Sequence, residues 1–366
     1  MTGRLADRRR AVGAALQSVR ADALLVTDPR NIAYLTGFRG SGGAVLVEET
    51  GEAVLCTDSR YELQVVEQAP DVGHVISREY VAGVLGRRRG PADAPIAVEA
   101  DVMTLTATGA LRRALSEVGA PQALVVETSG LVEEVRRRKD AGELALIERA
   151  CGVLDRAWVH MLSSDLIRVG RTERDVAADL EHAMRRAGSD GVAFDTIVAT
   201  GPNGAHPHHV PGDRRLEFGD LVVIDFGATV VGYASDCTRT VALGTAPDRL
   251  IEAYDVTLQA QLAGVGAVRA GIACADLDAV SRGVIDAAGY GGSFGHSLGH
   301  GVGLDVHEAP AVSARSTSTL SDGDVITIEP GIYLPGLGGI RIEDTVAVTD
   351  GGGRSLTTTS KAFSVL

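Results

Sequence analysis

Four carboxylates and a small set of histidines in the C-terminal half are the residues of this sequence best placed to do chemistry. Asp225 sits in VVIDFGA, and Asp236 follows in YASDCTRT. The intervening GATVVGYA holds two glycines, and a reversal near Val230–Gly232 would pair the flanking runs as strands. Folded that way, Asp225 and Asp236 stand opposite one another, at roughly 5 Å between Cβ atoms. Carboxylates so close repel, and one takes up a proton unless a cation compensates. A pair of divalent metals removes the repulsion and uses the oxygens as ligands. Glu329 shares a strand face with Val325 and Thr327 in VITIEPGIY, just before Pro330-Gly331, and Glu343 shares one with Arg341 in GIRIEDTVAV. Acids flanked by Ile and Val suggest an enclosed polar site. Taken singly, each also fits a solvated strand face with salt bridges, Glu343 with Arg341 for example.

The histidines shift that balance. His206, His208 and His209 fall in NGAHPHHVP, and His296, His300 and His307 in FGHSLGHGVGLDVHE. The second window is rich in glycine, a side-chain-poor backbone that lets imidazoles and a substrate approach closely. A lone histidine is more often structural than ligating, but these accompany four acids that lack another explanation. Cys237, next to Asp236, has no base placed for it and reads as a small packed residue rather than a nucleophile.

The elements that must hold these residues fall into two halves. From Ala23 to about Glu127, short apolar runs (ALLVTD, GGAVLVEE, EAVLCTD, APIAVEA, QALVVET) alternate with helical stretches near Arg4–Arg20, Tyr61–Gln68 and Leu105–Val118, an α/β pattern. Leu131 to Val159 is charged and helical in period. Gly142 and Gly152 weaken it, so two abutting helices fit as well as one. The domain boundary is set near Ser129-Gly130, giving domains 1–130 and 131–366. After Gly191 the pattern turns to strands, interrupted by helices around Leu250–Val268 and Cys274–Ala288, which makes the second half α+β with an antiparallel sheet.

At 366 residues the chain is long enough for two domains. A net charge of −13 argues against a nucleic-acid partner, which needs a clustered basic surface. The four cysteines are scattered, with no C-x-x-C pair, and fit a reducing compartment. The apolar run after Arg8-Arg9-Arg10 is too short for a signal segment, and Leu5, Val12, Leu16 and Val19 suit one face of an amphipathic helix. No stretch approaches the ~20 apolar residues of a membrane span. These features predict a cytoplasmic protein with no membrane partner.

The ordered set Asp225, Asp236, His300, Glu329 and Glu343 resembles the five-ligand signature of the pita-bread metallopeptidases. The contexts match as well: D-x-G-A, D-x-T-R-T, S-x-G-H-G-x-G-L-x-x-H-E, E-P-G and G-x-R-x-E-D. NIAYLTGFRGS and CTDSRYELQ resemble the creatinase-type N-terminal domain of aminopeptidase P and prolidase, and EVRRRKDAGELALIERA resembles the linker that follows it. The resemblance covers nearly the whole chain. It implies a creatinase-type α/β domain before a pita-bread catalytic domain. It implies Asp225 as a terminal ligand of one metal, His300 and Glu329 on the other, and Asp236 and Glu343 bridging both. Oxygen-rich ligation with one imidazole and no thiolate suits Mn²⁺, with Co²⁺ or Zn²⁺ as alternatives. Glu329 would also accept a proton from the attacking water. His208, His296 and His307 would hold the scissile carbonyl, the oxyanion and the leaving prolyl group. Arg341 would orient a bridging carboxylate.

The implied reaction is hydrolysis of the bond before a proline in second position, by a homodimer, on dipeptides or on longer peptides. The sequence departs from the family pattern at His206, where an aliphatic residue is expected, and His209 directly follows His208, which leaves the histidine assignment there open. Other readings are a methionine aminopeptidase, which shares the ligands but not the N-terminal domain, a metal-independent creatinase-like amidinohydrolase, and a non-catalytic binding protein.

Overall fold

The short apolar runs of the N-terminal half assemble into one sheet. In the computed structural model, which describes residues 2–366, the chain divides into two units, the first ending at Arg136 and the second spanning Arg137–Leu366. The first unit's six strands lie in the order Gly73–Ile76, Ala53–Thr57, Ala44–Glu48, Ala23–Val26, Ile96–Glu99, Val125–Thr128. The inner hairpins are antiparallel and the remaining pairs parallel, so the unit is mixed α/β. The helix Thr2–Val19 buries Val12 and Leu16 completely. The helix Pro29–Thr36 was not expected from periodicity, because eight residues are too few to show it. Its start is nonetheless well specified: Asp28 accepts from the N–H groups of Arg30 and Asn31, and Pro29 opens the first turn.

The stretch from Leu131 onward forms two helices, Leu131–Arg137 and Ala141–Ser163. The break falls at 138–140, and Gly142 and Gly152 both lie inside the longer helix. Asp140 decides this: its side chain caps the N–H groups of Gly142 and Glu143, while Glu143 reaches back to the Asp140 N–H.

The second unit repeats one plan. The helices Ala141–Ser163 and Glu173–Arg186 pack with the strands Ile197–Thr200, Leu221–Phe226 and Cys237–Ala242 around Leu154, Leu180 and Ile224. Trp158 stacks on Phe226 with ring centres 5.6 Å apart. The helices Asp248–Ala267 and Cys274–Ala287 likewise pack with the strands Val325–Ile328, Gly331–Leu334, Gly338–Arg341 and Asp344–Thr349 around Leu277, Ile326, Ile340 and Val346. Its named strands pair antiparallel, in short sheets of two, three and five strands rather than one continuous sheet.

Each half contributes a hairpin that carries two of the acids. In the first, Val231 and Gly232 form the turn with φ of 55° and 86°, Val230 faces Tyr233, and Asp225 faces Thr238. This corrects the expected register. The turn is centred one residue later, which moves the partner by two, so Asp236 lies diagonal to Asp225 on the same face rather than opposite it. In the second hairpin, Ile328 faces Asp344 and Gly331 faces Arg341. That single register places Glu329 across from Glu343 at a gap in the ladder. Pro330 has no N–H to donate there. The Glu343 N–H turns instead to the Thr238 carbonyl of the first hairpin, at 3.1 Å.

Candidate active site

The two hairpins meet at a cavity of about 510 Å³. His208, Asp225, Asp236, His296, His300, His307, Glu329, Arg341 and Glu343 all line it. Asp236, Glu329 and Glu343 each sit just outside a strand, between Ala234 and Cys237, Ile328 and Gly331, and Arg341 and Asp344 respectively. Their backbones are thus released from the ladder where their side chains turn inward. His300 arrives on the three-residue strand Gly299–Gly301. A Cβ at Gly299 would lie 2.1 Å from the Thr327 carbonyl oxygen and one at Gly301 2.2 Å from that of Ala309. Glycines on both sides of the imidazole let its strand lie this close to its neighbours.

Ligand atoms of Asp236, His300 and Glu343 lie within 4.8 Å of one another. His300 Nε2 is 3.6 Å from Asp236 Oδ2 and 3.3 Å from Glu329 Oε1. Its Nδ1 lies 3.0 Å from the Gly301 carbonyl. A carbonyl can only accept, so Nδ1 carries a hydrogen and Nε2 is the nitrogen turned to the acids, the one that would give up its proton to a metal, the arrangement common in metal-ligating histidines. Thr327 Oγ1 donates to Glu329 Oε1 at 3.0 Å, and Thr238 Oγ1 to Glu343 Oε2 at 2.6 Å. Asp225 Oδ1 and Asp236 Oδ1 are buried and accept no hydrogen bond. Buried carboxylate oxygens are rarely left so. Oxygens of this kind beside the inward-facing Nε2 of His300 fit divalent cations.

The electrostatics agree. Burial, reinforced by the charges of the neighbouring acids, pushes the carboxyls of Asp236 and Glu343 well above the usual range. Burial also opposes charge on Glu329 and His300, but their mutual hydrogen bond and attraction prevail. The Glu329 carboxyl falls to about 2 and the His300 imidazole rises. A cation at this point would replace the His300 proton and relieve the crowding of the acids.

Arg341 ties the site together. It is buried, and its Nη2 donates to Asp225 Oδ2 at 2.7 Å. Its Nε donates to Thr238 Oγ1 at 3.1 Å, and through that hydroxyl it reaches Glu343. Its Nη1 donates to Tyr333 Oη at 2.9 Å and to the Pro207 carbonyl at 3.1 Å. So Arg341 holds Asp225 directly and Glu343 through an intermediary. Tyr333 was missed in the sequence. Its hydroxyl lies 2.9 Å from His296 Nε2, while His296 Nδ1 lies 2.8 Å from the Ser297 carbonyl. The carbonyl fixes the His296 hydrogen on Nδ1, and Tyr333 donates to Nε2. Its period-two spacing from Glu329 in EPGIY was the available signal.

A family model described as metallopeptidase family M24 matches residues 145–350, and one described as the creatinase/prolidase N-terminal domain matches residues 8–138. The chain belongs to metallopeptidase family M24. Its M24 fold, a creatinase-type domain followed by a pita-bread domain, recurs in solved structures. An Xaa-Pro dipeptidase from Bacillus anthracis superposes with a TM-score of 0.93 at 37% identity, covering 99% of this chain and 100% of that one. An X-Pro aminopeptidase from Thermotoga maritima superposes at 0.87 with 36% identity, covering 96% and 99%. The Xaa-Pro dipeptidase of Pyrococcus furiosus is 37% identical over 93% of this chain and 94% of its own.

Proposed function

We propose that this M24 enzyme is a two-metal exopeptidase that cleaves the bond between an N-terminal residue and a following proline. The observation that carries the reading is the pair of buried, unpartnered oxygens on Asp225 and Asp236, beside His300 Nε2, Glu329 and Glu343. In this reading Asp225 would help to hold one ion, His300 and Glu329 the other, and Asp236 and Glu343 would contribute to both. Mn²⁺ suits the donor set, and Co²⁺ or Zn²⁺ could take its place. Bound there, the ions would supply Lewis acidity and a water of lowered pKa.

The chain's own groups do the rest. Glu329, whose Oε1 lies 3.3 Å from His300 Nε2 at the wall of the cavity, would be the carboxylate placed to accept a proton from the attacking water. Among the described residues, neither His208 nor His307 has its ring hydrogen-bonded within the chain. They are therefore the imidazoles available to hold the substrate carbonyl and its developing charge. Both ring nitrogens of His296 are engaged, and its ring packs edge-on against Phe294 at 5.0 Å. That suits a wall for the prolyl ring. A peptidyl-proline bond has no N–H, and nothing in this arrangement asks for one.

The names of the Pyrococcus, Bacillus and Thermotoga relatives support the substrate class. The family resemblance supports a homodimer, and four free, buried cysteines suit the cytoplasm. The metal-independent amidinohydrolase reading gives the converging carboxylates no task. The test is hydrolysis of Ala-Pro beside Ala-Pro-Ala, with Ala-Ala as control and Mn²⁺ present. Cleavage of Ala-Pro alone marks a dipeptidase, and cleavage of the tripeptide an aminopeptidase P. Failure on both contradicts the proposal.

A further inference from the structure

Glu173 is a completely buried carboxylate that none of the chemistry above uses. It opens the helix Glu173–Arg186. Its Oε1 accepts from the Thr200 N–H and from Asn203 Nδ2, each at 2.9 Å. Its Oε2 accepts from His209 Nε2 at 2.7 Å and from the Gly212 N–H at 3.1 Å. One carboxylate therefore gathers the end of the Ile197–Thr200 strand, the turn after it and the far end of the segment that carries His208. His209 is partly buried, with its side chain 18% exposed, whereas His208 is exposed toward the cavity. The two adjacent rings thus serve different partners. On the near side of His208, the Pro207 carbonyl accepts from Arg341. His208 is bracketed by two anchors, one at Pro207 and one at His209–Gly212.

We propose that Glu173 and His209 are positioning residues that hold the 206–212 segment so that His208 meets the substrate. The inference rests on the proposed function only for what His208 does. The clamp itself is a matter of geometry. A carboxylate can only accept, so His209 must present its Nε2–H to Glu173. Gln at position 209 can place an amide N–H near the same point, and Ala cannot. Because an ångström of misplacement near the chemistry can cost up to ~100-fold, the loss of an anchor shows in turnover before it shows in folding.

The experiment combines steady-state kinetics on Ala-Pro, bound-metal analysis and hydrogen exchange on the Mn²⁺-loaded full-length protein. His209→Ala is expected to lower kcat about tenfold with bound metal unchanged, and His209→Gln to recover to within about threefold of the parent. In a His208→Ala background, His209→Ala should cost less than about twofold, because its effect runs through His208. Glu173→Gln keeps one acceptor oxygen and loses the other, so exchange at the Thr200 or the Gly212 amide, whichever loses its acceptor, should speed about tenfold or more. Parental kinetics in His209→Ala would overturn the proposal, as would an equal loss in the His208→Ala background. If the parent enzyme cleaves no Xaa-Pro peptide, the functional reading fails. Exchange at these two amides then still decides the clamp: unchanged exchange at both in Glu173→Gln overturns it, and faster exchange at either upholds it.

Discussion

Each carboxylate in the cavity differs from its neighbours in what already holds it, and that difference sorts the expected effects of mutation. Asp236 and Glu343 each offer a ligand atom that, with that of His300, forms a group lying within 4.8 Å of one another. Asp236→Ala or Glu343→Ala is expected to abolish turnover and metal retention together, as metal analysis of the purified variants would show. Tyr333→Phe removes one hydroxyl between Arg341 and His296. It should lower kcat roughly 10- to 100-fold with metal retained, the size of losing a hydrogen bond to a charged group, about 1.5–3 kcal/mol. His296→Ala should likewise lower turnover and keep the metal. Loss of metal in either variant would mean that the His296 side belongs to the ligand set.

The same residues predict how the metal-free protein responds to pH. Asp236 and Glu343 have folded-state carboxyls raised above their unfolded values, and the His300 imidazole is raised too. For each, the folded state binds the extra proton, so stability is present below the unfolded pKa and lost as pH rises through the folded one. Glu329 runs the other way: its carboxyl lies at about 2, so its contribution is lost only as pH falls from about 4 toward that value. The melting temperature of the chelated protein should therefore decline from about pH 4.5 toward pH 8, and Mn²⁺ should cancel the decline. Glu343→Gln should make the metal-free decline shallower. A metal-free melting temperature that rises steadily over that range, with the same slope in Glu343→Gln, would contradict this account.

At the scale of elements, stability rests on local devices that can be tested apart from the chemistry. The Asp140–Glu143 capping box starts the helix Ala141–Ser163. Asp140→Ala is expected to cost about 0.5–2 kcal/mol, read as a lower denaturation midpoint with unchanged m-value. The sequence showed the strands around both acid pairs and the faces their side chains share, because period-two alternation survives in single strands. It did not show the register of the first hairpin. GATVVGYA permits reversal at either of two adjacent positions, and only the positive φ taken up by Val231 and Gly232 chooses between them. Nor did it show what divides His208 from His209. That depends on Glu173, thirty-six residues earlier in the chain than its partner His209, and no local pattern reports a contact at such a distance.

At the scale of the whole molecule, the second unit builds its site from two halves that repeat one design, a helix pair packed with a hairpin carrying two acids. The repetition is plain in the packing and faint in the sequence, because backbone pairing and apolar burial tolerate many residue choices. Among the described residues no helix is long and apolar enough to cross a membrane. Metal binding should protect the parts that supply the donors. Hydrogen exchange with and without Mn²⁺ is expected to slow most in peptides spanning 225–238, 298–301 and 327–345.

The central claim is that two divalent ions held by Asp225, Asp236, His300, Glu329 and Glu343 are required for cleavage before proline. The most direct test removes all metal by chelation, verifies this by elemental analysis, and follows Ala-Pro hydrolysis as Mn²⁺ is returned. The account predicts no hydrolysis in the stripped enzyme and recovery as bound metal approaches two ions per chain. Sustained hydrolysis by the verified metal-free protein would contradict it.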